Sequence, residues 1–254
     1  MKKFLLVLSL MTALAGMLTG CAATTDASQA YQGESPQKIY MYGKAALKDK
    51  SYAEAIKRFE ALDVQYPYGP ETESAQFYII YAYYMKEEYA LSASAADRFI
   101  HLHPTYEHVD YAYYMRGLSD FYKNLGILER FFAVDLSTRD LTQIRKTYFD
   151  FSELTERFPN SAYTPPAHQY MVYLRNLMAS YEVATAQFYY DRKAYIASAN
   201  RASDVVAHYQ GAPAVVNALE LMVKSYNKLG MKKEEQDALL VLKYNYPNKS
   251  VTVD

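Results

Sequence analysis

Three histidines, His101, His103 and His108, are the densest group of side chains in this chain able to ligate a metal or move a proton. Their spacing argues against that chemistry. Two residues of separation do not put two imidazoles on one helix face, Pro104 interrupts the run, and no cysteine or carboxylate stands where it would complete a first shell. A positive charge near a helix C-terminus is favourable on dipole grounds alone, so these histidines read as helix-end residues. No Gly-x-Ser-x-Gly elbow, phosphate loop or His-Glu-x-x-His pair occurs. Tyrosines, arginines and carboxylates are abundant but follow helical periodicity, which makes them packing and surface residues. No catalytic site, metal or cofactor is expected, and function is sought on a surface.

The one cysteine has a different chemistry. Lys2 and Lys3 precede an apolar run, Phe4 to Met17, too short to span a membrane and of the length of a secretory signal. Small residues then lead to Leu18-Thr19-Gly20-Cys21, which resembles the lipobox of bacterial lipoproteins. The resemblance implies that residues 1–20 are removed and that Cys21 becomes a diacylated N-terminus. At about 0.8 kcal/mol per buried methylene, two or more chains make a lasting anchor. Acylation leaves no thiol for a disulfide or a metal. Ala22, where an Asp would favour inner-membrane retention, implies the outer membrane, with the chain facing the periplasm. Residues 21–35 are poor in apolar side chains and read as a lipidated flexible tether reaching about 20 Å.

Loss of Lys2 and Lys3 takes the formal net charge from −1 to −3, and no basic patch suggests nucleic acid. The chain has 28 Tyr and 11 Phe but no Trp. Tyrosine buries an apolar ring while its hydroxyl reaches water, which suits thin layers of structure. Nine Gly and nine Pro are few, consistent with helices punctuated at intervals.

Those elements repeat. An aromatic ring or histidine precedes a stop at Tyr66-Pro67, His103-Pro104, Phe158-Pro159, Tyr209-Gln210 and Tyr246-Pro247, at intervals of 37, 55, 51 and 37 residues. Paired helices with a period in the mid-thirties are the tetratricopeptide (TPR) signature. The register agrees: Gly43, Tyr52, Ala55, Phe59 and Leu62 in the first unit, Tyr83, Tyr89, Ser92, Ala96 and Phe99 in the second, Gly117, Phe151 and Leu154 in the third. The fourth has Tyr195, Ser198, Ala202 and Val205, and the fifth Tyr226, Gly230, Leu239 and Leu242. The expected fold is all-α, a right-handed superhelix of five TPR-like hairpins, about ten helices, the folded part starting near Pro36. The two longer intervals carry about 18 and 14 extra residues. The first excess is Asn124 to Leu141, whose Phe131 and Phe132 are expected to tuck back onto the third and fourth repeats.

Tyr-Ala-Tyr-Tyr-Met at Tyr81 to Met85 and again at Tyr111 to Met115, followed by Arg157-Phe158-Pro159-Asn160-Ser161-x-Tyr163, are unusual for generic repeats. With the lipobox and five repeats they resemble the BamD (ComL, YfiO) family of lipoproteins, over essentially the whole mature chain. The resemblance implies a non-enzymatic periplasmic scaffold of the β-barrel assembly machine. It would bind the periplasmic domains of BamA, contact BamC and BamE, and receive unfolded outer-membrane β-barrel proteins. A TPR lipoprotein adaptor for other partners, such as peptidoglycan enzymes, remains the alternative.

On the TPR template the groove-facing residues are Tyr40, Lys44 and Leu47, then Phe77, Tyr81 and Tyr84, then Tyr114, Leu118 and Phe121. Such a surface suits an extended peptide with aromatic side chains and a terminal carboxylate, the lysine supplying the charge partner. Residues 36–160 (units 1–3) are read as the substrate side, and the resemblance implies that 161–250 (units 4–5) form the side that assembles the complex and meets BamA. Arg192 and Arg201 are the expected partner contacts there, because arginine clamps carboxylates bidentately.

Overall fold

The computed structural model describes residues 27, 29–124 and 141–251. Cys21, the segment before it, and Phe131 and Phe132 lie outside the described residues. Among those described there are ten α-helices and no strand: α1 Pro36–Lys48, α2 Tyr52–Gln65, α3 Pro70–Met85, α4 Tyr89–Leu102, α5 Val109–Asn124, α6 Thr142–Arg157, α7 Thr164–Asp191, α8 Tyr195–His208, α9 Val215–Leu229 and α10 Lys232–Asn245. They form five consecutive TPR-like hairpins, α1–α2 through α9–α10. None of the described helices is both long and apolar enough to cross a membrane.

Each hairpin ends at the stop seen in the sequence. Tyr66, His103, Phe158, Tyr209 and Tyr246 are the C-caps of α2, α4, α6, α8 and α10, with φ between −119° and −135°, and each N–H still bonds the carbonyl four residues back. A following proline disfavours the helical region at the preceding residue, which explains four of the five. Tyr209 takes the same conformation before Gln210, with its ring packed on the core of the last two hairpins. The freed carbonyl is reclaimed twice by the next helix: Thr72 Oγ1 donates to Tyr66 O (2.5 Å) and Thr164 Oγ1 to Phe158 O (2.7 Å). Within hairpins the turn passes through one left-handed residue, Lys50, Glu87, Lys193 or Gly230, two positions before helix B starts.

The two longer repeats differ in where their extra residues go. The third carries them between α5 and α6, outside the described residues. The fourth lengthens helix A itself: α7 has 28 residues where the other helices have 13 to 16.

The chain divides into two compact units, one through Ala75 and one from Gln76 onward, the boundary falling inside α3. In the first, Ser35 caps α1 by accepting from the Lys38 N–H, with Pro36 at the first position. Ile39, Gly43 and Ala46 pack on Ala55, Phe59 and Leu62. The last residues of the expected tether are held on α2. Gln65 Nε2 donates to Ala27 O (2.9 Å) and Ala30 O (2.5 Å), and the Tyr31 hydroxyl donates to Glu54 (2.8 Å) while Arg58 lies 4.1 Å over its ring.

In the second unit, Ile80, Phe99, Tyr113, Phe151, Leu154 and Leu174 form one core, and Ala179, Val205, Leu219 and Leu242 another. The long α7 contributes to both. Two buried serine pairs mark the repeat: Ser119 Oγ bonds Ser92 Oγ at 2.8 Å and Ser225 Oγ bonds Ser198 Oγ at 3.1 Å.

At two glycines the paired helices leave no room for a side chain. A Cβ on Gly43 would stand 2.5 Å from the Phe59 ring, and one on Gly117 2.8 Å from the Phe151 ring. Gly117→Ala should therefore lower stability by about 1–3 kcal/mol in urea unfolding. Gly117→Ala combined with Phe151→Leu should lose less than the sum of the two single changes.

Candidate functional site

The repeated Tyr-Ala-Tyr-Tyr-Met sequence sorts its tyrosines by helical spacing. In α3 and α5, Ala82 with Tyr83, and Ala112 with Tyr113, go into the core. Tyr81 with Tyr84, and Tyr111 with Tyr114, three residues apart, stay half-buried on a shared side of each helix. They belong to a continuous aromatic network in the second unit. Phe77 meets Phe99, Tyr106 and Tyr111 with ring centroids 5.2–5.5 Å apart. Tyr111 meets Tyr163 at 5.4 Å, and Tyr163 stacks on Tyr114 at 5.2 Å and 19°. Tyr170 stacks on Phe151 at 5.1 Å and 7° and takes the edge of Phe121 at 4.8 Å. Tyr84, Tyr89 and Tyr122 close a further triangle.

Between these rings lies a cleft of about 470 Å³, lined by Phe77, Tyr78, Tyr81, His108, Asp110, Tyr111, Ala162 and Tyr163. Helix α3 supplies the first three, the start of α5 and the residue before it the next three, Asp110 among them, and the α6–α7 turn the last two. Burial pushes the Tyr111 and Tyr170 phenols well above the usual tyrosine range and raises Tyr114 and Tyr163 too, because a phenolate is poorly solvated among rings.

Of the residues expected to face a groove, Phe77 and Tyr81 line this cleft. Tyr84, Tyr114 and Phe121 belong to the adjoining ring network, and Leu118 is buried in the core. Tyr40, Lys44 and Leu47 lie in α1, in the first unit, all half-buried, with Tyr40 packed 6.4 Å from Phe59. Arg192 caps the end of α7 with its guanidinium 3.5 Å over the Phe188 ring. Arg201, half-exposed, ion-pairs at 3.0 Å with the buried Glu182, which Arg145 also reaches at 3.5 Å. His101 Nδ1 lies 2.7 Å from the Asp97 carbonyl, and His103 Nε2 lies 2.7 Å from Gln76 while its ring packs on Phe99. No group of three or more potential metal ligands comes together among the described residues.

Sequence reasoning missed two features. Asp110, whose oxygens accept from Tyr111 N (2.9 Å) and Ser161 Oγ (2.6 Å), stands in the cleft wall. Arg116 is buried where α4, α5 and α6 meet, ion-paired with Asp97 (3.3 Å), Asp150 (3.1 Å) and Glu153 (2.5 Å). Beside it Lys146 joins the buried Asp120 to Asp150. Burial alone would raise Asp120, but the Lys146 hydrogen bond and charge hold it below the usual carboxylate range. An arginine in an otherwise small and apolar helical stretch was the available signal for the second.

A profile described as YfiO, outer membrane lipoprotein, matches residues 32–240. A protein of Vibrio cholerae is 35% identical over 215 residues, covering 85% of this chain and 88% of the relative. One of Neisseria meningitidis is 36% identical over 247 residues, covering 97% and 92%. The chain belongs to the YfiO family of outer membrane lipoproteins. Both relatives carry the name outer membrane protein assembly factor BamD. Among solved structures, a putative kinesin light chain of Podosopora anserina with nearly identical TPR-like repeats overlaps 85% of this chain and all of its own at a TM-score of 0.39 and 8% identity.

In this YfiO family member the buried phenols have a measurable consequence. Their folded pKa values lie above the unfolded value of about 10, so their stabilising effect is complete below that pH and is lost as pH rises through the folded values. Urea midpoints should be unaffected by these groups up to about pH 10 and fall above it, with the share of tyrosinate absorbance that belongs to the buried phenols appearing only on unfolding.

Proposed function

We propose that this chain is an outer membrane protein assembly factor of the BamD type, acting as a lipid-anchored, non-catalytic scaffold on the periplasmic face of the outer membrane. The observation that carries the reading is its identity of 35–36% with proteins of that name over 85–97% of its length. Cys21 holds the chain to the membrane. The aromatic surface of α3, α5 and the α6–α7 turn takes extended segments of unfolded β-barrel proteins, its rings supplying contact area at low entropic cost. The surface around Arg192 and Arg201, in residues 161–250, meets BamA, with BamC and BamE as further partners. Because Arg201 already neutralises Glu182, a partner carboxylate there has to share or displace that pair.

Depletion of the protein should lower the level of outer-membrane β-barrel proteins severalfold, read by quantitative proteomics of outer membranes; unchanged levels would refute the assignment. Cys21→Ala should move the protein from the membrane pellet to the soluble fraction. Arg201→Ala should reduce co-purification of the barrel protein while leaving the helical circular dichroism spectrum intact.

A further inference from the structure

The aromatic cleft of the second unit has a charge that its rings do not explain. Its lining includes five aromatic rings, one carboxylate, Asp110, and one imidazole, His108, and no lysine or arginine. Each Asp110 oxygen accepts one hydrogen bond, from Tyr111 N and from Ser161 Oγ. A carboxylate offers about four acceptor positions, so capacity remains for an incoming donor. Ser161 Oγ, which donates to Asp110, also accepts from Tyr163 N at 3.1 Å, so the carboxylate stands beside Tyr163, whose phenol is raised first by burial and then by the Asp110 charge.

We propose that this cleft binds a cationic side chain, arginine or lysine, of an extended peptide, with ring faces from Tyr78, Tyr81, Tyr111 and Tyr163 on its stem and Asp110 on its charge. The inference rests on reading this surface as a peptide site. A cation over ring faces is attracted by their quadrupoles, and a planar guanidinium both stacks on rings and donates to a carboxylate. The site is preorganised, since Tyr111 is held 5.2 Å from Phe77 and 5.4 Å from Tyr163, so little ordering accompanies binding. A peptide's terminal carboxylate, the group anticipated from sequence, would meet Asp110 in this cleft as a like charge.

The test uses the full mature chain and three acetylated, amidated peptides, Ser-Phe-Ser-Arg-Ser-Phe-Ser and its counterparts with Gln or Glu in the central place, with affinities measured by isothermal titration. The arginine peptide should bind about tenfold more tightly than the glutamine peptide and the glutamate peptide more weakly still. Asp110→Asn should shrink the preference to about twofold or less. Tyr81→Leu, which keeps bulk and leaves the carboxylate in place, should weaken the arginine peptide more than the glutamine peptide, and it carries the test alone if Asp110→Asn fails to fold. Equal binding of all three peptides, or a preference that survives both substitutions, overturns the cationic assignment and leaves the peptide-binding reading standing. Failure of all three to bind the unsubstituted protein overturns both.

Discussion

The close approach of helix A to helix B, with a phenylalanine ring seated where helix A has no side chain, is the contact on which the first and third hairpins depend. At Gly43–Phe59 and Gly117–Phe151 there is no room for even one methyl group. A larger residue would separate the helices and uncover the apolar faces that each hairpin buries. Helix α5 shows the consequence in full. It sits between α4 and α6, with Ser119 bonded to Ser92 on one side and Gly117 against Phe151 on the other. From Met115 to Asp120 every residue is buried.

Such a helix cannot leave a charge unpaired, because desolvating an isolated charge costs far more than any packing gain. Arg116 and Asp120 are accordingly met by Asp97, Asp150, Glu153 and Lys146 from the flanking helices. The same economy of space produces the aromatic surface. Around these contacts the partly buried rings pack both on the aliphatic core and on one another. A surface of half-buried tyrosines packed on one another is held in place by its own contacts.

Much of the architecture was legible before the fold was seen, and particular residues show why. The five stops are local events, set by a residue and the proline after it, and all five became helix ends. Gly43 and Gly117 were legible because a glycine inside a helical pattern has few reasons other than close approach. The extra residues of the fourth repeat were visible only as a length: nothing local distinguishes a longer loop from a longer helix, and α7 took them as helix. Phe77 and Tyr81 were expected on a shared surface and line one cleft. Asp110 and Arg116 were overlooked because a charged residue on an amphipathic helix reads as solvent-facing unless its neighbours are known.

The sequence by itself determined the all-helical class, the number of hairpins, where each ends and which helix faces are apolar, because these follow from periodicity and from the backbone limits of proline and glycine. It also determined, through the residues leading to Cys21, the chemistry expected of the N-terminus. Only the tertiary structure decided which tyrosines meet, that a carboxylate joins them, and which charges neutralise one another across α4, α5 and α6. Those outcomes depend on side chains from helices distant in sequence arriving within a few ångströms of each other, and no local pattern encodes that distance.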